Sequence, residues 1–325
     1  MDKSCLKNQW MMQAKLLLCI VTLITLLSIS SKPVLALGNN ETDRLALLAL
    51  KNSRGLNLLG SISHSIGNLT FLRRVNFSYN GLQGSIPKEH SHLRRLRSLN
   101  LEGNQLQGKM PVELSNCSNF KIFALSKNNL TGEIPFFLGN LKNLIRHHIP
   151  ANNLIAVFHV LRETFQPCIS SLSGNNLVGN IPNALDRLSN LRYHFIASNN
   201  LSSPIPPIYN LSYVIMIDAA LNQLSGRLPP EMDVAFPNLE VIYIGKNRLT
   251  GTIPVSVSNI SSLQQFDISA HGFSGPVPAN IGKLKDIQWL VIDYNHLGSG
   301  KAGDFGFSFV FNQLQPIGSF GYTKQ

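Results

Sequence analysis

A period of 24 residues runs through most of this chain, and a period of that length leaves little room for any fold but a stack of repeats. The phrase Asn-x-Leu-x-Gly-x-Ile-Pro recurs in close form from Asn80 to Pro87, Asn104 to Pro111, Asn128 to Pro135, Asn175 to Pro182 and Asn247 to Pro254. Weaker copies start at Leu56, Asn152, Asn199, Asn222, His271 and Asn295, so that eleven registers follow one another at steps of 23 to 25 residues. Apolar residues sit three and five positions before each register, as in Val75/Phe77, Leu99/Leu101, Ile242/Ile244 and Leu290/Ile292. Alternation over so short a run predicts a short strand. The Gly, Pro and Asn-Leu steps between strands predict a turn and an irregular or short helical return. One such unit cannot bury its apolar edge, whereas stacked units share a continuous core.

The register residue follows the strand and must turn inward, among backbone groups that no strand satisfies. A carboxamide carries two donors and an acceptor. Asn80, Asn104, Asn128, Asn152, Asn175, Asn199, Asn222, Asn247 and Asn295 are therefore expected to form a structural ladder. This accounts for a compositional oddity: 33 of the 325 residues are Asn, while charged residues make up only 14%. A hydrophobic content of 44% with so little charge excludes intrinsic disorder. Four Cys exclude a dense disulfide scaffold, and Cys117 and Cys168, two repeats apart, read as structural or free thiols.

Residues 1–36 read as a secretory signal, with Lys3, Lys7 and Lys15 ahead of an apolar run from Leu16 to Ile29 and small residues at Val34-Leu35-Ala36. The expected location is the secretory pathway and then the extracellular space or apoplast, or the plasma membrane if the chain is part of a longer receptor. Removing the signal takes four Lys and one Asp, lowering the net charge from +11 to +8. No other run is long and apolar enough to span a bilayer.

The pattern Leu-x-x-Leu-x-Leu-x-x-Asn-x-Leu-x-Gly-x-Ile-Pro resembles the plant extracellular leucine-rich repeat. Glu41 to Lys51, Gly60 to Thr70 and Lys283 to Asp304 sharpen the resemblance towards the ectodomains of immune-type leucine-rich-repeat receptor-like kinases. The resemblance implies an α/β leucine-rich-repeat solenoid. In it, a curved right-handed superhelix carries a parallel sheet of short strands on its concave face and irregular or 3-10 returns on its convex side. It implies a remnant of an N-terminal cap at 37–55 with a helix at about 41–51, repeats over 56–304, and a non-repeat tail at 305–325. The family's cap has a Cys pair and a Trp that this chain lacks, which predicts a frayed first repeat. Kinase signatures are absent, and no catalytic or metal-ligand constellation replaces them. The chain is therefore expected to be no enzyme and to need no cofactor or metal. Its expected role is a ligand-binding module, a truncated receptor ectodomain in plant defence or peptide perception. The alternatives are a secreted inhibitor resembling polygalacturonase-inhibiting proteins and a non-functional gene fragment.

On such a solenoid the binding surface is the outward face of the strands, at positions seven, six, four, two and one before the register residue. Arg73, Arg97, Lys121 and Arg192 share the first of these columns, and Asp218, Asp267 and Asp293 lie on the same face of later repeats. The face should run from basic to acidic. Tyr193, Phe195, Tyr243 and Trp289 are its aromatic candidates. A linear basic patch also includes Arg74, Arg94, Arg95 and Arg146. The leader and the lack of interleaved aromatics speak against nucleic acid. The expected partners are a peptide, a protein or an acidic polysaccharide, with a co-receptor beside them. Sequons begin at Asn40, Asn68, Asn76, Asn116, Asn129, Asn200, Asn210 and Asn259 and are expected glycan sites. Two departures stand out: the register at Asn152 lacks its Gly and Ile-Pro, and His147 and His194 occupy inward positions meant for apolar side chains.

Overall fold

The computed structural model describes residues 58–155, 168–181, 188, 190–205 and 211–298. The signal, the cap remnant, the tail, Asn40 and Asn210 lie outside the described residues.

Each repeat enters on a three-residue strand. Ten of these, from Arg74–Asn76 to Trp289–Val291, pair in parallel and in chain order as one sheet. The inward residue of each strand is the first of the two apolar positions, and Leu99, Phe123 and Phe266 there are fully buried. Burying a side chain of that size contributes roughly 1.5–3 kcal/mol. A second edge is built by the residues after the register position. Leu59–Ser61, Gly81–Gly84, Gln105–Gly108, Asn129–Gly132 and Asn153–Leu154 form a five-stranded parallel sheet. It is followed by the pair Val178–Gly179 with Asn200–Leu201, and by four strands from Ser225–Gly226 to His296–Leu297. Backbone bonds carry the pairing across the gaps, from Asn176 N–H to Leu154 C=O at 2.9 Å, and from Gln223 N–H to Leu201 C=O at 2.8 Å with Ser225 N–H to Ser203 C=O at 3.0 Å.

The Pro that ends each motif starts the return. Pro87, Pro111, Pro135, Pro254 and Pro278 hold φ between −55° and −64° and precede five-residue 3-10 helices such as Lys88–His92 and Val112–Asn116. A fixed φ and a missing N–H suit the residue that opens a helical turn. The helical component of the expected α/β fold is slight: among the described residues, the α-helix is the four-residue Met232–Ala235.

Each register residue ties its own turn to the preceding repeat. Asn104 Oδ1 accepts from Leu82 N–H at 3.1 Å, and its Nδ2 donates to Phe77 and Leu101 carbonyls, each at 2.9 Å. The same connection recurs from Leu58–Asn80 through Phe273–Asn295. Asn152 keeps it despite the missing Gly and Ile-Pro, accepting from Leu130 N–H at 3.0 Å and donating to Leu125 and Ile149. His271 takes the place of an Asn. Its Nδ1 accepts from Leu249 N–H at 3.1 Å and its Nε2 donates to Ile244 C=O at 2.8 Å, which fixes the neutral Nε2-protonated tautomer. A buried amide or carbonyl left without these partners would cost about 1–3 kcal/mol.

The residue just before each register position is left-handed. Tyr79, Lys127, Ala151, Ser198, Leu221, Lys246, Ala270 and Tyr294 have φ between 51° and 57°, and Gly103 and Gly174 fill the other two places. Non-glycine residues there carry a steric cost.

The middle of the stack is less well filled. His147, Ser170 and His194 lie side by side in the inward column and are buried. Burial lowers the pKa of His147 to about 3, with the neighbouring His148 and His194 adding to it, and lowers that of His194 to about 4. Both imidazoles are neutral at physiological pH. Beside them lies an apolar cavity of about 40 Å3, lined by Ile181, His194, Ile196, Ile217, Ala219 and Ile244 among others. Ala219 borders it and is the smallest side chain of its column, which otherwise holds residues such as Leu101, Leu125, Ile196, Ile244 and Ile268.

Candidate functional site

The outward positions of the ten-stranded sheet are columns, because each strand is bonded in register to the next. Arg97 and Ser98 N–H both donate to Arg73 C=O, Lys121 and Ile122 N–H to Arg97 C=O, and Ile145 and Arg146 N–H to Lys121 C=O. Arg73, Arg97 and Lys121 thus stand one above another on successive strands, all exposed. Ile145 and Cys168 continue their column, and Arg192 follows, its guanidinium 5.9 Å from the Tyr213 ring. Arg146 joins the basic end from the adjacent column. Burial lowers its pKa, with the Glu102 carboxylate opposing that effect.

Arg94 and Arg95 separate from this group. They follow the 3-10 helix and precede the strand Ser98–Asn100, and Arg95 packs 5.4 Å from the Phe71 ring. Their nearness to Arg97 in sequence does not put them on the strand that begins at Ser98.

At the other end Asp218, Tyr243 and Asp267 occupy matched positions of three consecutive strands. The Asp218 carboxylate accepts from Ala220 N–H at 3.2 Å and that of Asp267 from Ser269 N–H at 2.9 Å. Burial raises the Asp218 pKa to about 6, outweighing its backbone hydrogen bond. Tyr243, whose hydroxyl donates to Gln265, is pushed up to about 12 by burial and then by the two carboxylates. Gly245 has no room for a side chain, since a Cβ would stand 2.9 Å from Asp267 Oδ1 and 2.8 Å from Ser269 Oγ, which pack directly against it. Asp293 is exposed, and Trp289 is half-buried on the last strand of the sheet. Between the charged ends Tyr193 and Phe195 stack, with ring centroids 6.5 Å apart and planes 18° from parallel.

No charge at one end meets a charge from the other. Among the described residues the contact with ion-pair geometry is His64–Glu89, at 2.7 Å and away from this sheet, and it carries charge on both sides only when the imidazole is protonated. Cys117 is buried and donates to the His90 and Leu93 carbonyls, and burial pushes its thiol up to about 11. Such a thiol is a packing group.

Of the sequon residues, Asn68, Asn116 and Asn259 end 3-10 helices, Asn129 and Asn200 lie on the second edge, and Asn76 stands on the ten-stranded sheet. All six are exposed. The sequence reading did not place His271 in the ladder; its position in the period was the available signal.

A family model described as Leucine Rich Repeat matches residues 95–117 and 238–260. Receptor-like protein 35 of Arabidopsis thaliana is 33% identical over 80 residues, which is 25% of this chain and 8% of that protein. The chain thus matches about a tenth of the length of such receptor-like relatives. The Arabidopsis receptor kinase HAESA, solved in complex with the peptide hormone IDA and the co-receptor SERK1, superposes with a TM-score of 0.69 at 27% identity, covering 74% of this chain and 41% of that one. A plant ice-binding protein superposes with a TM-score of 0.63 at 26% identity, covering 74% of this chain and 78% of that one.

Proposed function

Because the chain is a leucine-rich-repeat solenoid similar to plant receptor ectodomains, we propose that it recognises an extended, charged peptide on its ten-stranded face. One observation carries this reading: the two ends of that face hold opposite charges that have no ion-pair partners among the described residues. Four strand steps separate Lys121 from Asp218, and seven separate Arg97 from Asp267. At about 4.8 Å per step these are roughly 19 and 34 Å. An extended peptide advances about 3.3 Å per residue, so its acidic and basic groups should lie roughly six to ten residues apart. The acidic end would sit over Arg97 and Lys121 and the basic end over Asp218 and Asp267, with the stacked Tyr193 and Phe195 beneath the middle. Charge complementarity of this kind sets orientation and association rate more than raw affinity.

With the leader read at 1–36, the place of action is the cell exterior, and the role is peptide perception in defence or signalling. A co-receptor belongs to the proposal, since the HAESA complex contains one.

The test is binding of secreted protein to a panel of peptides whose opposite charges are set three to fourteen residues apart. Affinity should peak at six to ten. Arg97→Glu with Lys121→Glu should weaken the best peptide at least tenfold, and a peptide whose acidic end is made basic should recover it. Alanine at Arg73, Arg97 and Lys121 with binding intact would sink the reading.

A further inference from the structure

The second edge of the solenoid carries a feature that peptide recognition on the ten-stranded sheet does not use. The residue after each register position points outward there, and over six successive repeats it is Gln105, Asn129, Asn153, Asn176, Asn200 and Gln223. The first five are exposed and Gln223 is half-buried. Leu106, Leu130, Leu154, Leu177, Leu201 and Leu224 alternate with them and are fully buried, which fixes the direction of the carboxamides. Side chains link along the column, Asn153 donating to Asn129 and Gln223 to Asn200. The neighbouring outward column holds Gln107, Thr131, Ile155, Val178, Ser202 and Ser225. No charge stands in either column across these repeats.

We propose that this carboxamide strip binds a neutral, hydroxyl-rich polysaccharide lying along the stack. The strip has nothing to offer a polyanion or polycation, and it lacks the Trp, Tyr and Arg that anchor protein partners. Each exposed carboxamide presents donors and an acceptor together, the complement of paired sugar hydroxyls. Parallel strands repeat that offer every 4.8 Å or so, about the advance of one pyranose in an extended chain. Weak single contacts then add along one polymer. Asn129 and Asn200 are also sequon residues, and their Oδ1 atoms already accept from the next repeat, so a glycan on Nδ2 would shadow the strip without breaking the column.

The experiment is retention of the full secreted chain by microcrystalline cellulose and by xyloglucan in affinity electrophoresis, with polygalacturonate as the charged comparison. Wild type should be retained by a neutral glucan in preference to polygalacturonate. Asn153→Asp with Asn176→Asp should lower affinity at least tenfold. Ile155→Lys with Val178→Lys, which leaves every carboxamide and both sequons in place at two exposed positions of the neighbouring column, should do the same with an unchanged melting temperature. Asn129→Gln with Asn200→Gln removes both sequons but keeps the amides, and should bind as well as wild type or better. Arg97→Ala with Lys121→Ala, on the other sheet, should leave glucan retention unchanged while weakening peptide binding. Absence of retention by either neutral glucan overturns the proposal, as does full retention of the Lys pair. Inhibition of ice recrystallisation without glucan retention would overturn it in favour of an ice lattice.

Discussion

Replacing Ala219 by valine should stabilise the protein, although it enlarges a buried side chain. Ala219 is 3% exposed and borders the 40 Å3 cavity. It stands in a column whose neighbours on either side are Ile196 and Ile244. Valine adds two carbons, worth about 0.8 kcal/mol each when buried. Filling the void recovers a further ~1 kcal/mol, taking about 24 cal/mol per Å3. The upper bound is therefore about 2.5 kcal/mol, and lost rotamer freedom with imperfect fit should leave roughly 1–2 kcal/mol. Guanidinium denaturation followed by circular dichroism would show this as a raised midpoint at unchanged slope. Ala220→Val is the control, because Ala220 is half-exposed on the outward face and its change should stay within about 0.5 kcal/mol. A lowered midpoint for Ala219→Val, or equal shifts for the two variants, would refute the reasoning from burial.

Two further outcomes follow from the buried histidines. His271→Ala should cost about 2–4 kcal/mol by stranding Leu249 N–H and Ile244 C=O, whereas His271→Asn should hold or raise the melting temperature by restoring the common ladder residue. Acid should destabilise the stack: the folded-state pKa values of His147 and His194, about 3 and about 4, lie below the ordinary 6.5, so the unfolded chain binds more protons between those values. Their contribution is complete above pH 6.5 and is lost as pH falls towards 4, by up to about 1.4 kcal/mol per unit for each group. Asp218 opposes this, since its raised pKa adds stability as pH falls through about 6 towards 3.8. Urea midpoints at pH 7, 5.5 and 4.5 should decline for wild type and flatten for His147→Leu with His194→Leu.

The columns of this protein were legible because counting back from a register residue is equivalent to choosing a face of a strand. Arg73, Arg97 and Lys121 come together for that reason, and so do Tyr193 and Phe195, two residues apart on one strand. Arg94 and Arg95 show where counting along the chain misleads, since strand pairing begins only at Ser98. The depth of Asp218 was not legible, because it depends on the side chains of adjoining strands as much as on its own position. Nor was the role of His271, whose ring nitrogens reproduce the spacing of a carboxamide donor and acceptor without resembling one in the sequence. A lone Ala in an isoleucine column carries no sign of whether its neighbours close around it; at Ala219 they do not.

The left-handed residue before each register position bears on how the stack assembles. Its backbone N–H is bonded to a carbonyl of the following repeat, as Tyr79 is to Glu102 at 2.7 Å and Leu221 to Gly245 at 2.9 Å. A lone repeat has no such acceptor, so nothing offsets the strain of its left-handed residue. At Tyr79, Leu221 and Lys246 the bond to the next repeat offsets the cost of the left-handed geometry, whereas Tyr294, on the last register, holds the same geometry with no such bond among the described residues. Strain spread over eight such residues penalises short stacks, so nucleation has to recruit several adjoining repeats before growth becomes downhill.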